Sequence, residues 1–377
     1  MAKFNSYPFW TARFWHGMRL RDWLRLLGSQ KYRIHPLRWP LAATVTSTTV
    51  LNSLGASAQA MWYSKRIRET QLERPPVFII GHWRSGTTML HELMVCDERF
   101  NFPTTYQCIA PHHFLLSHWW ATRLLWFLVP KQRPMDNMKA GMHLPQEDEF
   151  ALMNLGCPSP YRRMAFPNES PVDLEYLDME DIGSRPLADW AHSLLWFAKT
   201  LSYFRKGQLV FKSPTHTGRV KVLAKLFPGA KFIHIARHPY SLFPSTMRLW
   251  RALDTVQGLQ LPKAEQDEAD RQRREDYVLQ CLERMYASFD EQCSRLAEDQ
   301  FFEVRYEDLV QHPESTLASI YETLGLEDFE VARPAVSSYL SQRKDYRANP
   351  HPELDERIKT SIQDRWANYA ARYGYEL

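Results

Sequence analysis

Short runs of consecutive apolar residues alternate along this chain with longer stretches whose apolar residues recur every three or four positions. The run Val77-Phe78-Ile79-Ile80 is the clearest, and Pro75-Pro76 before it closes a charged helical stretch over residues 65–74. A continuous apolar run of this length is what a strand buried on both faces requires. Similar runs stand at 209–212, 231–236 and 300–306. Each is followed by a helical pattern, at 88–94, 217–227, from Pro239 onward, and at 313–324, where Gly325 stops it. This alternation predicts an α/β fold of three layers, a mainly parallel sheet flanked by helices. The charged stretch 259–299, helical over 265–276, reads as a solvated excursion between two strands.

Upstream the pattern changes. Residues 1–25 set Phe9, Trp10, Phe14, Trp15 and Trp23 among Arg13, Arg19, Arg21 and Arg25, without the compact apolar stretch and cleavage site of a signal peptide. The segment predicts a helix, either lying in a membrane interface or packed on the domain. Residues 39–64 carry no charge and have aromatic ends, but the middle is rich in Ser and Thr, which makes insertion marginal. Residues 119–130 are too short to cross a bilayer and read by default as a core helix, otherwise as the apolar wall of an acceptor pocket. Residues 1–74 are therefore taken as an N-terminal helical extension capable of peripheral membrane contact, and 75–377 as one catalytic domain.

Composition narrows the function. The 377 residues are 44% hydrophobic and 13% aromatic, enough for a large core. Lys and Arg number 47 against 43 Asp and Glu, a net charge of +4 with no dense basic block. Nucleic acid is excluded as a partner on that ground, while an anionic small molecule or a lipid headgroup surface suits it. Cys96, Cys108, Cys157, Cys281 and Cys293 are odd in number and widely spaced, so neither a disulfide framework nor a zinc site is indicated. A cytoplasmic, reducing location, peripheral at the inner membrane, is the expectation.

The candidate chemistry begins at Gly81-His82-Trp83-Arg84-Ser85-Gly86-Thr87-Thr88, between a strand and a helix. Its spacing G-x-x-x-x-G-T-T is that of a phosphate-binding loop with Thr87 where a Lys would stand. Converging amides and the helix N-terminus attract an anion, and Arg84 can supply the missing cation. With that Lys absent and no obvious metal-binding carboxylate closing a strand, the loop departs from phosphoryl-transferring enzymes.

The stretch from Pro76 to Thr88 resembles the 5′-phosphosulfate loop of the PAPS-dependent sulfotransferase superfamily (PAPS, 3′-phosphoadenosine 5′-phosphosulfate). Ile235-Ala236-Arg237-His238-Pro239 with Ser245 is similar to that family's 3′-phosphate element. The resemblance covers roughly residues 75–358 and is strongest to the bacterial branch. It implies a P-loop-like fold and sulfuryl transfer from PAPS to a hydroxyl acceptor, with Arg84, Ser85, Gly86, Thr87, Thr88, Arg237 and Ser245 as donor ligands and no metal required. A guanidinium with a hydroxyl suits a 3′-phosphate. The family's late Lys-Gly-rich loop is missing, and Arg343-Lys344-Asp345-Tyr346-Arg347 stands near its place.

For the reacting centre, Phe211-Lys212-Ser213-Pro214-Thr215-His216 puts Lys212 and His216 just beyond a strand's carboxyl end, where ligands sit in open α/β sheets. Lys212 is expected to stabilise the transferring oxygens and His216 to act as general base. Glu147 and Glu149, in Glu147-Asp148-Glu149, rank below His216, because consecutive acids are usually a solvated helix start. The aromatic-basic N-terminus and the apolar 119–130 segment suggest a lipid-like or amphiphilic acceptor. Two rivals remain at this point: a P-loop small-molecule kinase, and a non-catalytic, membrane-peripheral nucleotide-binding protein.

Overall fold

The structure is a computed structural model that describes residues 7–8, 10–136, 138–264, 266–343 and 353–377. The readings placed on Phe9, Glu265 and Lys344–Arg347 lie outside the described residues. Among the described residues five parallel strands form one sheet: β1 (Val77–Ile80), β2 (Phe100–Asn101), β3 (Gln208–Lys212), β4 (Lys231–Ala236) and β5 (Phe301–Arg305), in spatial order β2-β3-β1-β4-β5. The three-layer α/β expectation holds. Phe78 pairs with Phe211 on one side and Phe232 on the other, ring centroids 5.4 and 5.5 Å apart. Phe78 and Ile80 belong to the core on one face of the sheet, Val77 and Ile79 to the core on the other. Helices cover both faces, so neither set of alternate residues is polar.

The chain leaves β1 toward β2 and β3, then crosses to β4 and β5 on the other side. The carboxyl end of β1 is thus a topological switch point, the place where open α/β sheets bind ligands.

The N-terminal segment is packed on the domain. A 3₁₀ turn at Phe14–Gly17 and α1 (Leu20–Ser29) bury Trp15 and Trp23 in the same core as Phe78 and Phe232. Both indoles are held: Trp15 Nε1 donates to the Gln257 carbonyl at 2.6 Å and Trp23 Nε1 to Thr46 Oγ1 at 2.9 Å. The next helix, α2 (Trp39–Glu69), ends six residues before Pro75, so the stretch 65–74 is helical only in its first half. Its hydroxyls bond back within the helix, as Ser53 Oγ does to the Thr49 carbonyl at 2.7 Å. None of the described helices is long and apolar enough to cross a membrane.

After β1 come α3 (Thr87–Met94), α4 (Thr105–Ile109) and α5 (Phe114–Leu124), the last running into a 3₁₀ turn at Trp126–Leu128. The default core reading of 119–130 fails here. Phe114, Ser117 and Ala121 form the stripe that faces the body, whereas Trp119, Trp120, Leu124, Trp126 and Phe127 are exposed. Next follow α6 (Asp148–Asn154) and α7 (Ser184–Phe204), then α8 (Val220–Leu226), α9 (Pro239–Gln257) and α10 (Glu268–Tyr286). The helix expected over 217–227 starts later, because residues Pro214–Arg219 form a 3₁₀ turn. Nor is α10 a solvated excursion: Val278, Leu282 and Met285, spaced at helical period, are buried.

Candidate active site

At the carboxyl end of β1 the backbone must reverse within a few residues to start α3. Gly81 (φ 141°) and Gly86 (φ 110°) take the positive φ this needs, and Arg84 (φ 71°) is left-handed without being glycine. Space is as demanding as φ. A Cβ on Gly86 would stand 2.4 Å from the Tyr306 ring, and one on Gly81 2.4 Å from the Ile235 carbonyl oxygen. The loop is therefore a close-fitting turn into the helix start, and residues from both line one cavity.

That cavity has a volume of about 510 Å³. Arg84, Gly86, Thr87 and Thr88 line one end of it together with Arg237, while the side chains of Ser85 and Ser245 are buried behind them. Arg84 ties the loop to the next strand and helix: its Nε donates to Ser245 Oγ at 3.1 Å, and its carbonyl accepts from Arg237 Nη1 at 2.8 Å. Arg237 also lies over the Tyr306 ring, 4.4 Å from its centroid. Three of the seven residues singled out for the donor, Arg84, Arg237 and Ser245, thus meet in one place although they come from two separate motifs. Asp136 pairs with Arg84 at 2.7 Å and with Arg133 at 3.6 Å. Burial raises its carboxyl, and the two guanidiniums outweigh that, bringing it down to about 2.

The consecutive acids are not solvated. Glu147 is the N-cap of α6, with Asp148 and Glu149 in its first turn, and all three are buried. Each meets a different residue from the end of β3 or the 3₁₀ turn beyond it. Glu147 Oε1 accepts from Lys212 Nζ at 2.7 Å, and its Oε2 from the Tyr161 hydroxyl at 2.5 Å. Asp148 Oδ2 lies 2.6 Å from His216 Nε2, and its Oδ1 accepts from Ser213 Oγ at 2.8 Å. Glu149 accepts from Arg219 Nη1 and Nη2 at 2.7 and 3.2 Å, from Ser159 Oγ at 2.6 Å and from Thr215 Oγ1 at 3.0 Å. Burial pushes the Asp148 and Glu149 carboxyls up, but their contacts with His216 and Arg219 prevail and leave both below their ordinary values. Burial lowers the Lys212 ammonium, with Glu147 acting against it.

These pairs divide the expected residues into two groups. Glu147 and Lys212 line the cavity, as does Tyr161. His216, by contrast, has no exposed surface, and both ring nitrogens are engaged. Its Nδ1 lies 3.2 Å from Arg219 Nη1, a group that only donates, so Nδ1 accepts and the ring proton on Nε2 is assigned toward Asp148. Glu149 likewise lies behind the cavity wall in its pair with Arg219. Tyr161, Arg133, Asp136 and Arg219 were missed by sequence reasoning. Only the apolar residues following the three acids, Phe150 to Met153, hinted that this helix start is buried.

Ala12, Phe14, Ile109, Val129, Leu249 and Leu253 give the remaining wall an apolar character. A strand–loop–helix turn at a switch point and an acid–ammonium pair thus line one cavity whose remaining wall is apolar. Residues 75–330 match the Sulfotransferase family, and the chain belongs to it: the protein is a sulfotransferase, moving a sulfuryl group to a hydroxyl acceptor. Sulfuryl transfer thereby displaces the kinase and non-catalytic readings.

The relatives include the omega-hydroxy-beta-dihydromenaquinone-9 sulfotransferase Stf3 of Mycobacterium bovis and of Mycobacterium tuberculosis. Each is 41% identical over 375 residues, covering 100% of this chain and 94% of the relative. Among solved structures, sulfotransferase STF9 from Mycobacterium avium shares the fold at a TM-score of 0.72 and 16% identity, covering 94% of this chain and 92% of the other. Sulfotransferase STF1 from Mycobacterium tuberculosis gives 0.61 at 18% identity, covering 93% and 92%.

Proposed function

We propose that the donor is PAPS, that the acceptor is a hydroxyl-bearing amphiphile, and that the reaction is PAPS + R–OH → PAP + R–OSO₃⁻ + H⁺ (PAP, adenosine 3′,5′-bisphosphate). One observation carries this reading: a single cavity joins the loop at 84–88 and Arg237 to the Glu147–Lys212 pair and to an apolar wall. PAPS supplies the activated sulfuryl group. The loop at Gly81–Gly86, with Arg84 lining the cavity, suits a phosphosulfate, and Arg237 with Ser245, linked through Arg84, suits a second phosphate. The amphiphile agrees with the relatives named for a hydroxylated menaquinone, and such an acceptor resides in a membrane, so peripheral association with the inner membrane belongs to the same reading.

Glu147 takes the acceptor's proton. It lines the cavity, whereas His216 is enclosed, so the geometry favours the reverse of the order expected from sequence. Lys212, beside it, balances the charge that develops on the transferring oxygens. His216 and Asp148 are positioning residues that hold the start of α6 against the end of β3.

PAP in EDTA should raise the melting temperature, while ADP and ATP, with or without Mg²⁺, should not. Arg237→Ala should weaken PAP binding roughly 10–100-fold, the loss of one or two charge-assisted hydrogen bonds, without altering the ligand-free melting temperature. Mg²⁺-dependent ATP stabilisation, or unchanged PAP affinity in the variant, would reject the donor assignment.

A further inference from the structure

Five large apolar side chains stand in the open within nine residues. Trp119 is 71% exposed, Leu124 65% and Trp126 62%, with Trp120 and Phe127 beside them in sequence and also exposed. Burial of these residues was the default expectation; the helix instead turns Phe114, Ser117 and Ala121 inward and its indoles out. A monomeric protein rarely leaves such a patch uncovered without a partner for it.

The chemistry of the patch selects the partner. Arg123 lies over the Trp119 ring at 4.8 Å from its centroid, so a guanidinium is interleaved with the indoles. From Phe114 to Met135 the chain has no acidic residue, while Arg123 and Lys131 are both exposed. Indoles mixed with cations and free of acids are the composition of the lipid headgroup boundary, where rings sit between acyl chains and water and cations meet lipid phosphates. Trp and Arg also mark protein–protein contacts, so what selects lipid is the acid-free surround together with the link from this patch to the cavity.

The patch also leads into the active-site cavity. Val129 and Pro130, directly after the Trp126–Leu128 turn, line that cavity. Ala12, another lining residue, is fixed to the same turn by a 2.8 Å bond from its amide to the Leu128 carbonyl. Alongside, α5 packs on α2 where a Cβ on Gly55 would press the His113 ring at 3.0 Å. There α2 exposes Leu51, Leu54, Met61 and Trp62, which helical period places on one face.

We propose that α5 and its following 3₁₀ turn rest on the surface of an anionic lipid bilayer, so that the acceptor passes from the bilayer into the cavity along Val129 and Pro130. This rests on the amphiphilic acceptor of the proposed function. It differs from the expectation attached to residues 1–25, whose Trp15 and Trp23 are consumed by the core.

The test uses the full-length protein with vesicles of phosphatidylcholine containing about one third phosphatidylglycerol, without donor or acceptor. The protein should co-float with them. The triple variant Trp119→Ser/Trp126→Ser/Phe127→Ser should reduce partitioning about tenfold or more, since each ring contributes to insertion. Its melting temperature and its turnover of a water-soluble hydroxyl acceptor should stay unchanged, while turnover of a long-chain acceptor embedded in the vesicles should fall in step with binding. Arg123→Glu provides a second reading, weakening binding to anionic but not to neutral vesicles. Equal partitioning of wild type and triple variant, or no vesicle binding by the wild type, overturns the proposal. So does a wild-type dimer in sedimentation that the triple variant abolishes with partitioning unchanged, since a second copy would then own the face. Vesicle binding that depends on the patch, with no turnover of any long-chain acceptor, would preserve the docking surface and reject the acceptor class.

Discussion

Glu147→Gln is expected to lower kcat for sulfuryl transfer by about 10²–10⁴-fold, the usual loss on removing a positioned general base. Gln fills the same volume and can still accept from the Tyr161 hydroxyl, but it cannot take a proton from the acceptor. Donor binding should stay within about threefold, because Glu147 touches Lys212 and Tyr161, not the loop at 84–88. His216→Gln should cost less than about tenfold, since His216 acts through Asp148 from outside the cavity. Steady-state kinetics with PAPS and one soluble acceptor decide the matter. Should His216→Gln carry the larger loss and Glu147→Gln the smaller, the base is His216.

Arg219→Met should destabilise the fold by about 3–5 kcal/mol, the cost of stranding one partner of a buried ion pair. Neither Arg219 nor Glu149 has exposed side-chain surface, so water cannot take the guanidinium's place. Arg219 also donates from Nε to the Tyr176 carbonyl at 2.6 Å and lies 5.1 Å from the centre of the Trp190 ring, contacts that Met replaces only in volume. Adding Glu149→Gln to Arg219→Met should return at least half the loss, because the stranded charge is then gone. Urea unfolding of the wild type, Arg219→Met, Glu149→Gln and the double variant measures the coupling. A single-variant loss below about 1 kcal/mol would mean that the pair is not what anchors this turn.

Much of this was legible because it is local. β1, β3, β4 and β5 are apolar runs bounded by turns, and the loop at Gly81 announces itself by spacing. β2 is only Phe100–Asn101 at the sheet edge, too short to leave a period. The pairing of Glu147, Asp148 and Glu149 with Lys212, His216 and Arg219 could not be read, since 65 to 70 residues separate the partners and a row of acids looks solvated until its counter-ions are known. Tyr161 and Asp136 belong to no motif. For Trp119–Phe127 hydrophobicity was plain but its direction was not, because burial depends on what packs against a helix and not on the helix alone.

The three adjacent acids have a consequence for how this region can change. Successive residues at a helix start point about 100° apart, so each acid addresses its own set of partners. A single-residue insertion or deletion before Glu147 would hand two of the acids a neighbour's partners, carrying a shorter Asp into the cavity or leaving Lys212 unmatched. Point changes are scarcely freer, since each leaves a charge enclosed. The tripeptide and its facing turn should therefore drift only as matched pairs and never in length, so a deletion library spanning 140–155 should recover no active clones with a shifted register there.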